Sequence, residues 1–96
     1  MLHVYILPHG WVILGERTDC PDPDMQTLKY ASVVRRWGTD AGLGQLASDG
    51  PRTETILDQA PEGIAFPFKQ LIMMFPCSVE PWQEYLDTFP QRRGVQ

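Results

Sequence analysis

His3-Val4-Tyr5-Ile6-Leu7 and Trp11-Val12-Ile13-Leu14, separated by Pro8-His9-Gly10, decide how this chain folds. Both runs are rich in β-branched and aromatic residues, which fit the pleated surface of a sheet. A short glycine-containing connection between two such runs predicts a β-hairpin. Neither run alternates cleanly between apolar and polar residues. Near-continuous apolar strands predict that both faces of the hairpin are covered, and a second subunit is one way to cover them.

Beyond the hairpin, residues 16–24 read as a polar, proline-broken loop. Met25 to Lys29 and Ser32 to Trp37 read as strands, with a bend near Tyr30-Ala31. Alternation puts Val33, Arg35 and Trp37 on one face and Val34 and Arg36 on the other. An arginine on each face points to an edge, a strand end or an interface. Between Gly38 and Pro51 lie four glycines, and Leu43, Leu46 and Ala47 have the spacing of a single helical turn. Asp49-Gly50-Pro51 ends that turn.

Thr53 to Leu57 predicts a further strand, Gln59 to Gly63 a turn, and Ile64 to Cys77 one or two strands with Pro67 at an edge or bulge. Ser78 suits a helix N-cap and Pro81 a first helical turn. Trp82, Tyr85 and Leu86 then share one face of a short C-terminal helix. Residues 88–96 read as a frayed tail. The expected whole is one domain over residues 1–96, mainly β, a small antiparallel sandwich or barrel with a short C-terminal helix. Met73-Met74-Phe75 and Trp82-Tyr85-Leu86 read as core, the alternative being an apolar contact between subunits.

The chain has 96 residues and a formal charge of −4. General nucleic-acid binding calls for a cationic surplus to displace counterions from phosphates, so that class is disfavoured. The apolar start, Leu2 to Leu14, is broken by Pro8-His9-Gly10 into halves too short to span a bilayer. No membrane partner is expected. Cys20 and Cys77 form no C-x-x-C pair, and they read as free thiols in a reducing cytoplasm, a single bridge being the alternative. Small size and two-sided apolar strands together predict homo-oligomerisation.

Gly42-Leu43-Gly44-Gln45-Leu46-Ala47 has the form of the dinucleotide fingerprint G-x-G-x-x-A. The fingerprint works by running into a long helix of a βαβ unit, and here Asp49-Gly50-Pro51 stops the chain too soon. A looser anion site survives this exclusion. Backbone N–H groups at Gly42 and Gly44 can form a nest, flanked by Arg35, Arg36 and Arg52. Trp37 can stack on a base, and Thr39 or Thr53 can bond a phosphate oxygen. The competing reading is a structural loop with Trp37 in the core. Asp19, Asp22 and Asp24 lack the glycine and terminal glutamate of a calcium loop, so they read as a solvated loop. His3 reads as a strand residue and His9 as an exposed turn residue. Neither sits in a nucleophile motif. No catalytic residue, cofactor or metal ligand is expected.

Ala31-Ser32-Val33-Val34-Arg35-Arg36-Trp37-Gly38-Thr39, followed by Gly42-Leu43-Gly44-Gln45-Leu46-Ala47 and Gly50-Pro51, resembles a family of small proteins from tailed phages and prophages. Phe68 to Cys77 and Val79-Glu80-Pro81-Trp82 also look similar to that family. The segments 16–24 and 88–96 fall outside the resemblance, which carries no functional residue over. It implies a viral protein acting in the host cytoplasm. Small accessory phage proteins often block host defence, so the expected function is a non-catalytic anti-defence factor. Such a factor sequesters a nucleotide-like small molecule or inhibits a host protein. The alternative is a virion or assembly component. A small hydrolase using His3 or His9 is the third class.

Overall fold

A computed structural model describes residues 1–90. The strands are β1 (Leu2–Ile6), β2 (Val12–Thr18), β3 (Met25–Arg36), β4 (Ile56–Ala60), β5 (Ile64–Pro67) and β6 (Met73–Pro76). Two short helices, α1 (Leu43–Asp49) and α2 (Gln83–Thr88), complete the fold. The chain is mainly β, as its pattern predicts, and every strand pairing is antiparallel. All six strands belong to one sheet, ordered β4-β3-β2-β1-β6, with β5 beside β4 on the same side of β3. The sheet does not close into a barrel, and its second layer comes from the helices rather than from another sheet. None of the described helices is long and apolar enough to cross a membrane.

The link between β5 and β6 forces the sheet to coil. Those strands lie on opposite edges, four strand spacings or roughly 19 Å apart in a flat sheet. Residues 68–72 join them, and Phe68–Gln70 is a 3₁₀ turn. The link reaches only about 16 Å along its path. The link starts at Pro67, opposite Met25 beyond the Thr18 end of β2, and finishes at Met73, opposite Ile6 at the Val12 end, so the two edges are drawn toward each other along a diagonal.

A bulge in β3 sorts side chains between the two faces. Leu14 lies opposite Ser32 and Glu16 opposite Lys29, so Gly15 faces both Tyr30 and Ala31. Tyr30 takes a positive φ of 50°. The extra residue reverses the alternation, so Leu28 and Ala31 join one core although they are an odd number of residues apart. Gly15 is required there, since a Cβ would lie 2.9 Å from the Leu28 Cβ.

One face of the hairpin packs on the helices. Leu2, Val4, Val12, Leu14 and Val34 meet Leu43, Leu46 and Ala47 of α1 and Trp82 and Tyr85 of the C-terminal segment. The other face encloses Tyr5, Ile13, Leu28, Ala31 and Phe66 inside the coil of the sheet. The continuous apolar pattern of β1 and β2 is thus satisfied within a single chain. This removes one of the two sequence arguments for a second subunit.

Several boundaries differ from expectation. β2 runs through Thr18, so the loop predicted at 16–24 is confined to 19–24. The helical segment at Leu43 extends through Asp49, and Gly50 at φ 85° caps it as expected. The strand predicted at Thr53 to Leu57 begins only at Ile56 and continues to Ala60. Ser78 makes no capping bond with its side chain, and a 3₁₀ turn at Glu80–Trp82 leads into α2. Trp82 and Tyr85 are core residues, but Met73 and Met74 are not, being 50% and 43% exposed. An edge strand offers only one neighbour to its side chains, which is why β6 leaves both outside. Thr88 closes α2, and Phe89 packs against the helix-side core, so neither is frayed. The remainder of the predicted tail, 91–96, lies outside the described residues.

Candidate functional site

Three surfaces compete for a functional role. The first is the arginine-flanked glycine loop. β3 ends at Arg36, and its pairing with β4 slips by one residue between Val34 and Arg36. Gly38 then bends the chain at φ 70°. A Cβ there would collide with the Thr55 backbone, so the chain between Trp37 and Gly38 lies directly on the turn at residues 52–55. Thr55 Oγ1 donates to the Trp37 carbonyl at 2.7 Å and accepts from the Arg52 N–H at 2.8 Å. Arg36, Trp37, Arg52 and Thr53 are thereby gathered on one side of the molecule.

Several donors of that site are nevertheless engaged. Arg35 Nε lies 3.0 Å from Asp58, Arg36 lies 3.9 Å from Glu54, and Arg52 lies 3.3 Å from Asp49. Thr39 spends its hydroxyl on the Gly42 carbonyl at 2.7 Å. The Ala41 N–H, the donor ahead of Gly42, goes to Gln45 Oε1 at 2.7 Å. Gly42 is the N-cap of α1, while Gly44 lies inside the helix and is not part of a nest. Trp37 is 43% exposed, not core. An incoming anion would have to compete with a carboxylate at each arginine.

The second surface was missed in the sequence. A groove of about 590 Å³ lies between β4 and α2, lined by Ile56, Leu57, Gln59, Glu84, Tyr85 and Thr88 among others. Leu57 and Gln59 pair with Val34 and Ser32, on the face of the sheet that carries the helices. Tyr85 fixes that geometry. Its hydroxyl donates to the Tyr30 carbonyl at 2.8 Å and stands 2.6 Å from Ser32 Oγ. A phenol has one proton, and the carbonyl can only accept, so Ser32 donates to Tyr85. Burial pushes the Tyr85 phenol up to about 12.

The third surface is apolar. Val12, Ile6 and Met73 pair in a row across β2, β1 and β6. At the end of this row Trp11 accepts a hydrogen bond from the Leu7 N–H, and the Ile72 N–H donates to the Ile6 carbonyl. Trp11, Ile72, Met73 and Met74 are all exposed. Met73 and Met74 project to opposite faces of β6, so apolar surface wraps the open edge of that strand. Pro76, lacking an N–H, closes the strand and blunts its edge.

The remaining reactive residues are scattered. His9 is an exposed turn residue, as predicted, and His3 sits within β1 beside Tyr5. Asp22 accepts from the Asp24 N–H within its own loop. Among the described residues no three His, Cys, Asp or Glu side chains converge as a metal cluster. Cys20 and Cys77 are free. Cys77 is buried, and burial pushes its thiol up to about 12, which keeps it a neutral, weakly nucleophilic group. The Tyr5 hydroxyl is buried without a hydrogen-bond partner, and desolvation raises its pKa.

Comparison with protein-family models finds no match for this chain, and comparison with curated proteins finds none.

Proposed function

We propose that this chain is a non-catalytic, phage-derived binding protein that acts as an anti-defence factor by gripping a host protein in the cytoplasm. The observation that carries this reading is the exposure of four large apolar residues, Trp11, Ile72, Met73 and Met74, at and beside the open edge of β6. Aromatic residues and methionine are enriched at protein interfaces, and tryptophan is among the residue types enriched at binding hot spots. The nucleotide-sequestering version is less well supported, because Arg35, Arg36 and Arg52 already face carboxylates.

The test combines activity and partner identification. The wild-type chain is expressed in cells carrying anti-phage defences, and the defence it silences is purified with it. Met73→Asp together with Met74→Asp should abolish both silencing and co-purification while leaving the circular dichroism spectrum unchanged. Thermal-shift screens against cyclic nucleotides and ADP-ribose derivatives provide the opposing arm. A shift that disappears in Arg35→Ala/Arg52→Ala, with silencing lost at the same time, would replace protein capture with nucleotide sequestration.

A further inference from the structure

We infer that a cavity at the end of the sheet where β2 gives way to the 19–24 loop binds a free α-amino acid with an apolar side chain. Arg17 takes the carboxylate, and Asp19 and Asp22 take the ammonium group. None of Trp11, Ile72, Met73 and Met74 lines this cavity, so the site stands apart from the proposed contact with a host protein.

Strand register brings the side chains together. Residues two apart share a face, so Arg17 follows Ile13 and Gly15 onto the face of β2 that the coil encloses, opposite Leu28. Gln26, two residues before Leu28 and opposite Phe66, belongs to the same face. With the 19–24 loop these strands form a cavity of about 300 Å³, lined by Arg17, Asp19, Asp22, Met25, Gln26 and Phe68 among others. Three observations point to an occupant. Arg17 has no carboxylate within ion-pairing distance among the described residues, although Asp19 and Asp22 line the same cavity. Gln26 is only 4% exposed, and while its Nε2 donates to the Thr27 carbonyl at 2.9 Å, its Oε1 accepts from no described residue. The Tyr5 hydroxyl, on the same enclosed face, is buried without a partner. Buried polar groups left without partners cost free energy, and a polar ligand in the cavity supplies partners.

The charges define the ligand class. The guanidinium fork of Arg17 matches a carboxylate. A simple anion would be repelled by Asp19 and Asp22, and a simple cation would leave Arg17 unpaired. A ligand carrying both charges satisfies both walls. Arg17 and Asp19 are two residues apart, roughly 7 Å along an extended chain, so the ligand's charged groups sit close together, as they do on the α-carbon of an amino acid. The ammonium group also meets the free Oε1 of Gln26. Met25 and Phe68 form the apolar wall that receives the side chain. A volume of about 300 Å³ lies at the small end of ligand pockets, which suits one amino acid and is too small for a dinucleotide.

Calorimetry and amide-resonance titration of the full-length chain with L-leucine and L-phenylalanine test this. Both should shift the resonances of Arg17, Asp19 and Gln26 and slow alkylation by iodoacetamide of Cys20, which borders the cavity. N-acetyl-leucine lacks the ammonium group and leucinamide lacks the carboxylate, so each should bind at least about tenfold more weakly than leucine. Arg17→Ala and Asp19→Asn should lose affinity on the same scale. Both residues are exposed, so each variant should melt within a few degrees of wild type, which separates lost recognition from lost folding. Met73→Asp together with Met74→Asp should bind leucine as wild type does, which keeps this test distinct from that of the host-protein reading. Absence of binding at millimolar concentrations of both amino acids, derivatives that bind as tightly as leucine, or full binding by Arg17→Ala would overturn the proposal.

Discussion

Replacing Tyr85 with phenylalanine isolates the hydroxyl that fastens α2 to the bulge of β3. The ring contacts survive the change, since Trp82 and Phe89 each lie 5.6 Å from the Tyr85 ring centroid. What disappears is a two-bond relay, Ser32 to Tyr85 to the Tyr30 carbonyl. Ser32 is fully buried and Tyr85 nearly so. Each lost bond costs about 1 kcal/mol, and a buried polar group left unpaired costs about 1–3 kcal/mol, terms that overlap. Tyr85→Phe should therefore destabilise by roughly 2–4 kcal/mol. Ser32→Ala should cost only about 1 kcal/mol, because Tyr85 keeps its bond to Tyr30. In the double variant no serine hydroxyl is stranded, so the total should fall short of the sum by about 1 kcal/mol. Urea denaturation followed by tryptophan fluorescence measures the cycle. For a domain this small each kcal/mol moves the melting temperature by about 4–8 °C, so the effects are well resolved. Additivity within about 0.3 kcal/mol, or a Tyr85→Phe loss below about 0.5 kcal/mol, would refute the relay.

Alkaline pH should unfold the protein. Tyr85 and Cys77 are both held neutral by burial, with pKa values raised from 10.0 and 9.0 to about 12. The unfolded chain loses these protons first, so stability is intact below about pH 9 and falls as pH rises toward about 12, by several kcal/mol. Denaturant midpoints against pH measure this, and Cys77→Ala should move the onset up to about pH 10, where the buried tyrosines Tyr85 and Tyr5 begin to act. Leu46→Ala, in the fully buried centre of α1, should cost about 2–5 kcal/mol in the same assay. Arg35→Ala and Arg52→Ala should each stay within about 0.5 kcal/mol of wild type, because their ion pairs are solvent-exposed. A larger loss at either arginine would mean that its pair is structural.

The hairpin and α2 were legible because local chemistry and tertiary structure agree there. β1 and β2 are built from β-branched and aromatic residues, and Trp82 and Tyr85 sit at helical spacing with both side chains buried. β4 was misplaced because Thr53 and Thr55 carry β propensity that the fold does not use. Thr55 instead closes a turn, accepting from the Arg52 N–H and donating to Trp37, which is the competition that short hydroxyl side chains offer a strand. The bend near Tyr30 was anticipated, but its consequence for facing was not, since nothing in a tyrosine signals a positive φ. The three arginines were visible as a cluster. Two of their carboxylate partners, at positions 54 and 58, become partners only once β4 and the turn before it lie against the end of β3, whereas Asp49 stands three residues from Arg52. The groove had no sequence signature, because its walls come from β4 and a helix more than twenty residues later.

The placement of apolar residues separates what the fold requires from what it leaves over. The continuous hydrophobicity of the first hairpin invites a reading as an interface, yet the coil of the sheet covers one of its faces and the two helices cover the other. Trp11, Ile72, Met73 and Met74 are different, because no described element packs over them and each remains roughly half exposed. Their exposure contributes nothing to the cores, and on an edge strand it carries an aggregation hazard. Polar residues at Met73 and Met74 would keep the backbone pairing to Ile6 and Tyr5 and remove that hazard at little cost in stability. Apolar side chains there are a cost that the fold itself does not explain, and the proposed contact with a host protein would account for it.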